Sequence, residues 1–381
     1  MNMKTKTGSS FLLACAISSL GAPLAWCQEA MFYRISATGD STITSFSLAE
    51  GLAWSTVVPT GPYSIEAVPS LGMDVWTNWT SLAYGAITGI TVSSRPPLPV
   101  SPLANISEMA IVPEGKFQMG DNYDEGYATE QPVHNIHTSC IWMDRCEVSK
   151  AEWDEVRTWG MTNGYTDLAV GRYGWRLDPW GEILDPSHPV SYVSWNDCVK
   201  WCNARSEMEG LDPAYYTTVT HTQVLRLGSV ALGTNYVDWL ANGYRLPTEA
   251  EWEKAARGGF AGHHFPWPSL GDSYQDHYPT SKYNGETHPV GSFEANAYGL
   301  YDMDGNVMEW CWDYYDSNYY SAFSSSNWPA NPQGPSTGSN RQMRGAGTTD
   351  NGFWARCALR HDGASQNNTA FNRGFRCVRR F

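Results

Sequence analysis

Positive charge is scarce in this chain: 25 Lys and Arg stand against 39 Asp and Glu, for a formal net charge of −14. Apart from Arg376, Arg379 and Arg380 the basic residues are scattered. That pattern speaks against nucleic acid and anionic membrane surfaces as partners, since neither attracts an acidic protein without a basic patch. Long apolar runs are also missing. The longest, Phe11 to Leu24, is too short and too interrupted to span a bilayer. No tandem repeat is visible, and no cysteine spacing reads as a zinc-binding pair of pairs. Charged residues reach only 17%, while hydrophobic residues make up 42% and include 18 Trp and 21 Tyr. With 35 Gly and 22 Pro, this composition predicts a loop-rich globular protein with a large aromatic core.

The 381 residues leave room for one large domain, or a main domain with a small companion. The amino end reads as an export signal over residues 1–27. Lys4 and Lys6 precede the apolar stretch, and Ala25-Trp26-Cys27 offers a small-residue cleavage site. A lipid anchor at Cys27 is the rival reading, and bulky Trp26 argues against it. Export places the chain in an oxidising compartment, periplasmic, cell-surface or secreted. Of the 9 cysteines, those after Cys27 then number an odd count, so at least one stays free or pairs between molecules.

Residues 28–95 are rich in β-branched and aromatic residues between Gly, Ser and Pro. Met31–Ile35, Ser41–Phe46, Trp54–Val58 and Ile87–Val92 read as strands of a small β module. The proline-rich stretch Arg95–Pro102 follows as a stiff linker, assigned to residues 96–105. From residue 106 the pattern changes to an α+β domain with long irregular loops. Three helices carry their own start signals. Ser149 with Glu152, Ser194 with Asp197, and Thr248 with Glu251 each form a capping box. The third helix has Glu249, Glu251 and Glu253 in its opening turns, Trp252, Ala255 and Ala256 at core spacing, and Gly258-Gly259 as a stop. It reads as a short surface helix.

The run Tyr244-Arg-Leu-Pro-Thr-Glu-Ala-Glu-Trp-Glu-Lys-Ala-Ala-Arg-Gly-Gly259 resembles the signature segment of the formylglycine-generating enzymes, the sulfatase-modifying factors. Further blocks fall in the family's order: Met109–Gly120, Glu130–His134, Glu147–Lys150, His188–Asp197, Pro289–Gly291, Ala297–Asp302, Gly305–Trp310, Arg344-Gly345 and Gly374–Arg376. The resemblance implies the family's irregular variant of the C-type lectin architecture. It implies a structural calcium held by side chains of Asp302 and Glu309 and carbonyls of Gly305 and Val307, a donor set that suits a hard cation. A second calcium would lie nearer Tyr283 and Asn284, where the likeness is too poor to place it. It also implies a disulfide between Cys202 and Cys377.

Active members bind copper through two cysteines after this block and oxidise a substrate cysteine to formylglycine. Here the block runs Arg344-Gly-Ala-Gly-Thr-Thr-Asp-Asn-Gly-Phe-Trp-Ala-Arg-Cys357. The family serine is Gly347, the first cysteine position falls near Asp350, and Cys357 matches a later structural cysteine. Soft thiolates have no easy substitute as Cu(I) ligands, so copper is not expected. The family partner of Cys357 falls at Ala256; Cys311 is a candidate replacement, and Cys140 and Cys146 could pair locally. Arg360, His361 and Asp362 lie beside the altered block as candidate ligand-binding residues, with a solvated charge cluster as the alternative. Three functional readings follow. The first is an exported domain that binds a peptide or glycan in the former active-site groove. The second is an oxidoreductase with altered ligands such as non-haem iron, and the third a structural surface protein.

Overall fold

The computed structural model describes residues 109–175, 185–266, 285–323 and 328–380, and elsewhere only the backbone of short strands. The chain divides into two units, Met1–Val100 and Ser101–Phe381. In the first, a four-stranded antiparallel sheet runs in the order Ser10–Cys15, Met31–Ala37, Tyr63–Val68, Thr77–Leu82. The expected strand at Met31–Ile35 forms its second member. Thr42–Ile43, inside the expected Ser41–Phe46, pairs with Met3–Lys4. Ser10–Cys15 falls within the segment read as an export leader. Trp54–Val58, Ile87–Val92 and the linker lie outside the described residues.

In the second unit the three helices start where their caps predict. Helix α1 is Lys150–Thr162, α2 Trp195–Met208 and α3 Glu249–Ala256, and each has its complete capping box. Helix α3 ends at Arg257, and Gly258 and Gly259 follow with φ of 59° and 86°, a region that costs residues with a Cβ. Around the helices lie small sheets. A four-stranded antiparallel sheet has the order Tyr244–Arg245, Val378–Arg380, Ile141–Asp144, Met109–Val112. The last residues of the domain are thus inserted between strands from its beginning and its middle. A second sheet has Met308–Tyr314 at its centre, antiparallel to Arg341–Arg344 and parallel to Arg373–Gly374.

Aromatic residues fill the core. Trp153 of α1 and Trp201 of α2 stack with ring centroids 5.8 Å apart, and Phe375 meets both edge-on. Trp153, Trp195, Trp201, Trp252, Trp310 and Trp312 are fully buried. At roughly 150–250 Å² of buried surface per ring, each contributes at most about 4–6 kcal/mol of transfer free energy. An indole N–H can be buried cheaply only when it has an acceptor. Trp153 donates to the Ala169 carbonyl, Trp195 to Cys311, Trp201 to Trp153 and Trp310 to Val193. Trp252 donates to the carboxylate of Glu309 at 2.8 Å.

One expectation fails here. Helix α3 is not a surface helix, for all eight of its residues are buried. Its acids are the reason it can be. Glu251 takes the guanidinium of Arg245 with two bonds of 2.7 Å. Glu253 accepts from Arg257, Arg344 and the Gly120 amide. Glu249 accepts from Arg360 at 2.7 and 3.1 Å. Charges that looked like dipole complements on a wet face are the centre of a buried ion-pair network. Buried charge persists only when paired in this way. No helix among the described residues is long and apolar enough to cross a membrane.

Candidate functional site

The altered block begins at Arg344, the last residue of the strand Arg341–Arg344, which ties it to α3. The Arg344 guanidinium donates to carbonyls of Cys357, Ala358 and Leu359 and to Glu253. Gly345 follows with φ 75°, and a Cβ there would meet the Trp252 ring at 3.2 Å. Beyond it, Asp350 closes a short turn. Its carboxylate accepts from the Gly347 amide at 2.8 Å while its own amide donates to the Gly347 carbonyl. Asn351 then caps a 3₁₀ turn over Gly352–Ala355. Asp350 therefore closes a turn near the position that the family resemblance assigns to a cysteine.

The thiol nearest this turn is not reactive in character. Cys357 is buried, and burial pushes its pKa up to about 12, with neighbouring Arg257 and Arg344 opposing the rise. Cys311 is buried in the same hydrophobic cluster with its acidity suppressed by burial. Both are free thiols, so the expected replacement pairing between them is not made. Thiolate is the form that binds soft metals and attacks. Burial therefore disfavours the thiolate of both residues.

Facing the turn is the loop after Gly120. The Asp121 carboxylate accepts amides of Tyr123, Glu125 and Gly126, each at 2.8 Å. Burial opposes its ionisation, and these three bonds outweigh burial to hold its pKa low. The loop is thereby fixed and carries Tyr123 and Tyr127, each 46% exposed. Tyr123 stacks on His264, with centroids 4.5 Å apart, and His264 meets Glu125. Tyr127 packs edge-on to Phe353 at 5.4 Å and lies 6.1 Å from Trp354. Trp354 stacks in turn on His361 at 5.3 Å. Arg356 crosses beneath to a bidentate pair with buried Glu130. The result is a surface of preset aromatic rings over the altered block. None of these rings stood out in the sequence, because a half-exposed tyrosine and a core tyrosine are written alike.

The candidate ligand residues Arg360, His361 and Asp362 are mostly structural. Arg360 is buried on Glu249, the Thr129 carbonyl and the Asp316 carbonyl. The His361 Nε2 bonds the Gly345 carbonyl at 2.7 Å, and burial lowers its pKa. Only Asp362 is exposed, accepting from the Tyr315 hydroxyl at 3.3 Å.

The implied calcium site is brought together in part. Asp302, Gly305 and Asn306 have φ of 53°, 90° and 61°, so the segment doubles back tightly. Asp302 is buried and accepts the Gly291 amide at 2.6 Å. Nearby Glu147 accepts from Val307 N at 3.0 Å and from Asn306 at 2.6 Å. Burial, then Asp302, then Glu309 push the Glu147 pKa well up, which marks an excess of buried negative charge. That excess and the tight turn fit a hard divalent cation. Glu309 does not belong to the set as placed. Both its oxygens accept from Arg376, at 2.7 to 2.9 Å, and one also takes Trp252. No group of three or more His, Cys, Asp or Glu side chains among the described residues could hold a metal by side chains alone. Tyr283 and Asn284 lie outside the described residues.

The expected disulfide is not formed. Cys202 on α2 and Cys377 are free thiols with sulfurs 3.6 Å apart. Cys140 is disulfide-bonded while Cys146 is free, so those two are not each other's partners.

Comparison with known proteins agrees with the fold. The chain is 28% identical over 320 residues to a formylglycine-generating enzyme of Streptomyces coelicolor, covering 70% of this chain and 87% of that one. It is 29% identical over 300 residues to the serine/threonine-protein kinase pkn1 of Chlamydia caviae, where the match spans 74% of this chain but 39% of that protein. Among solved structures, Treponema denticola variable protein 1 superposes with a TM-score of 0.55 at 26% identity, covering 72% of this chain and 95% of that one. The model of the sulfatase-modifying factor enzyme 1-like domain matches residues 96–381, and the chain belongs to that family.

Proposed function

We propose that this chain is an exported member of the family that binds a peptide or glycan over the former active-site groove and does not make formylglycine with copper. The observation that carries the reading is the segment between Arg344 and Cys357, which holds no cysteine. The one thiol at its end is buried, with its pKa raised to about 12. In place of a thiol pair there is a turn closed by Asp350 and flanked by Tyr127, Phe353 and Trp354. Rings held this way lose little freedom when a ligand settles on them. An oxidoreductase with other metal ligands lacks a donor set among the described residues.

The test is direct. Purified protein is loaded with Cu(I) and offered cysteine-containing peptides, while oxygen uptake and peptide mass are followed. No turnover is expected, and conversion of the peptide cysteine to an aldehyde would overturn the reading. A peptide and glycan array then finds the ligand class. No binding at all would favour a structural surface protein.

Calcium binding is known in the family, and we propose Asp302 with the Gly305 and Val307 carbonyls as its site in this chain. Glu309 is left to Arg376. Chelation should lower the melting temperature of the protein, and Asp302→Asn should abolish that response. An unchanged melting curve on chelation would remove the site.

A further inference from the structure

We infer that the ligand of the aromatic surface is a cationic polypeptide segment, its Lys or Arg side chains seated on the rings of Tyr127 and Trp354. The inference rests on the proposed binding role of this surface and adds the charge of what binds.

Two observations carry it. First, the surface is aromatic and preset. Tyr123 and Tyr127 are each 46% exposed. Tyr127, Phe353 and Trp354 lie 5.4 to 6.2 Å apart, centroid to centroid, in edge-on or tilted pairs. Phe353 already carries the Arg356 guanidinium at 4.3 Å and Trp354 gives one face to His361, which leaves Tyr127 and the other face of Trp354 as seats for an ammonium or guanidinium group.

Second, the charge around these rings has one sign. Asp124, Glu125 and Asp362 are exposed, and Asp350 is half-buried. Every nearby guanidinium among the described residues is buried and already paired. Arg257 is on Glu253, Arg344 on Glu253 and Glu249, Arg356 on Glu130 and Arg360 on Glu249. His264 sits against Glu125, and burial lowers its pKa. Such a surface repels sulfated, phosphorylated or carboxylated ligands. It attracts cations, as the whole chain does at −14.

A neutral glycan could use the rings and donate hydroxyls to the carboxylates, but it would gain nothing from their net charge.

The experiment titrates the full-length protein with octalysine and with the same peptide acetylated on every amine. A panel of neutral oligosaccharides follows, all read by calorimetry and tryptophan fluorescence. Octalysine should bind at one-to-one stoichiometry and weaken with salt, and the acetylated peptide should bind at least tenfold more weakly. Tyr127→Ala changes no charge and should weaken octalysine at least tenfold. Asp124→Asn with Glu125→Gln should do the same, and the melting curves show whether each variant is folded. Octalysine binding that ignores Tyr127→Ala, or has no fixed stoichiometry, would be attraction to the acidic surface at large and overturns the inference. Neutral oligosaccharide or acetylated peptide bound as tightly, and lost in Tyr127→Ala, overturns the cationic ligand while leaving the binding surface standing. No binding by any probe overturns both.

Discussion

Replacing Glu309 by Gln gives the sharpest test of how this domain is held together. Glu309 is 1% exposed and Arg376 is fully buried. Their guanidinium–carboxylate contact uses bonds of 2.7, 2.8 and 2.9 Å. Arg376 also donates to carbonyls of Asp144, Arg145, Tyr301 and Asp302. It thus joins the strand ending at Asp144, the Asp302 turn and the carboxy terminus. Glu309→Gln keeps the shape and removes the charge. An uncompensated buried guanidinium should then cost about 3–5 kcal/mol, which for a domain of this size lowers the melting temperature by roughly 6–20 °C. Thermal unfolding followed by circular dichroism reads the shift directly. Adding Arg376→Met should recover part of the loss, because the orphaned charge leaves with it. Chelation separates this role from calcium. Glu309→Gln should still respond to a chelator, whereas Asp302→Asn should not. A shift under about 2 °C, or loss of the chelator response in Glu309→Gln, would refute the assignment of Glu309 to Arg376.

Two further outcomes follow from the same structure. The Asp313 carboxyl is buried beside Glu249 and Glu251, and burial first, then these charges, raise its pKa well above 3.8. The folded state therefore holds that proton to higher pH than the unfolded chain, and stability falls as pH rises through the folded pKa. Asp313→Asn keeps an acceptor for the Glu249 amide. It should gain stability over the parent as pH rises above about 4, and a difference flat with pH would contradict this. Separately, the Cys202 and Cys377 sulfurs are 3.6 Å apart, while a disulfide needs about 2.05 Å. Oxidising conditions should close the pair and raise stability by up to about 5 kcal/mol; Cys202→Ser should lose that gain. An equal melting temperature in oxidant and reductant would leave them as thiols.

Much of the domain was legible in the sequence where the signal is local. Ser149, Ser194 and Thr248 each mark a helix start because a capping box is written within four residues. The stop at Gly258-Gly259 is equally local. The partners of α3 were not legible, since Glu249 and Glu253 meet Arg360 and Arg344 about a hundred residues away. Without those partners the acids read as a wet face, and the helix was placed on the surface. The same long-range pairing takes up Arg360 with Glu249 and Glu309 with Arg376, contacts that no local pattern announces. Exposure misleads in the other direction. Tyr123, Tyr127 and Trp354 face the candidate site because Asp121 and Asp350 fold their loops, and neither turn announces which way its neighbours point. That no cysteine lies between Arg344 and Cys357 is readable from the sequence alone because it is a matter of residue identity.

The central claim is that the segment from Arg344 to Cys357 cannot perform copper-dependent formylglycine synthesis. The measurement that tests it most directly is mass spectrometry of a cysteine-containing peptide after incubation with Cu(I)-loaded protein in oxygen. The peptide is predicted to return unchanged, and an aldehyde in place of its thiol would contradict the account.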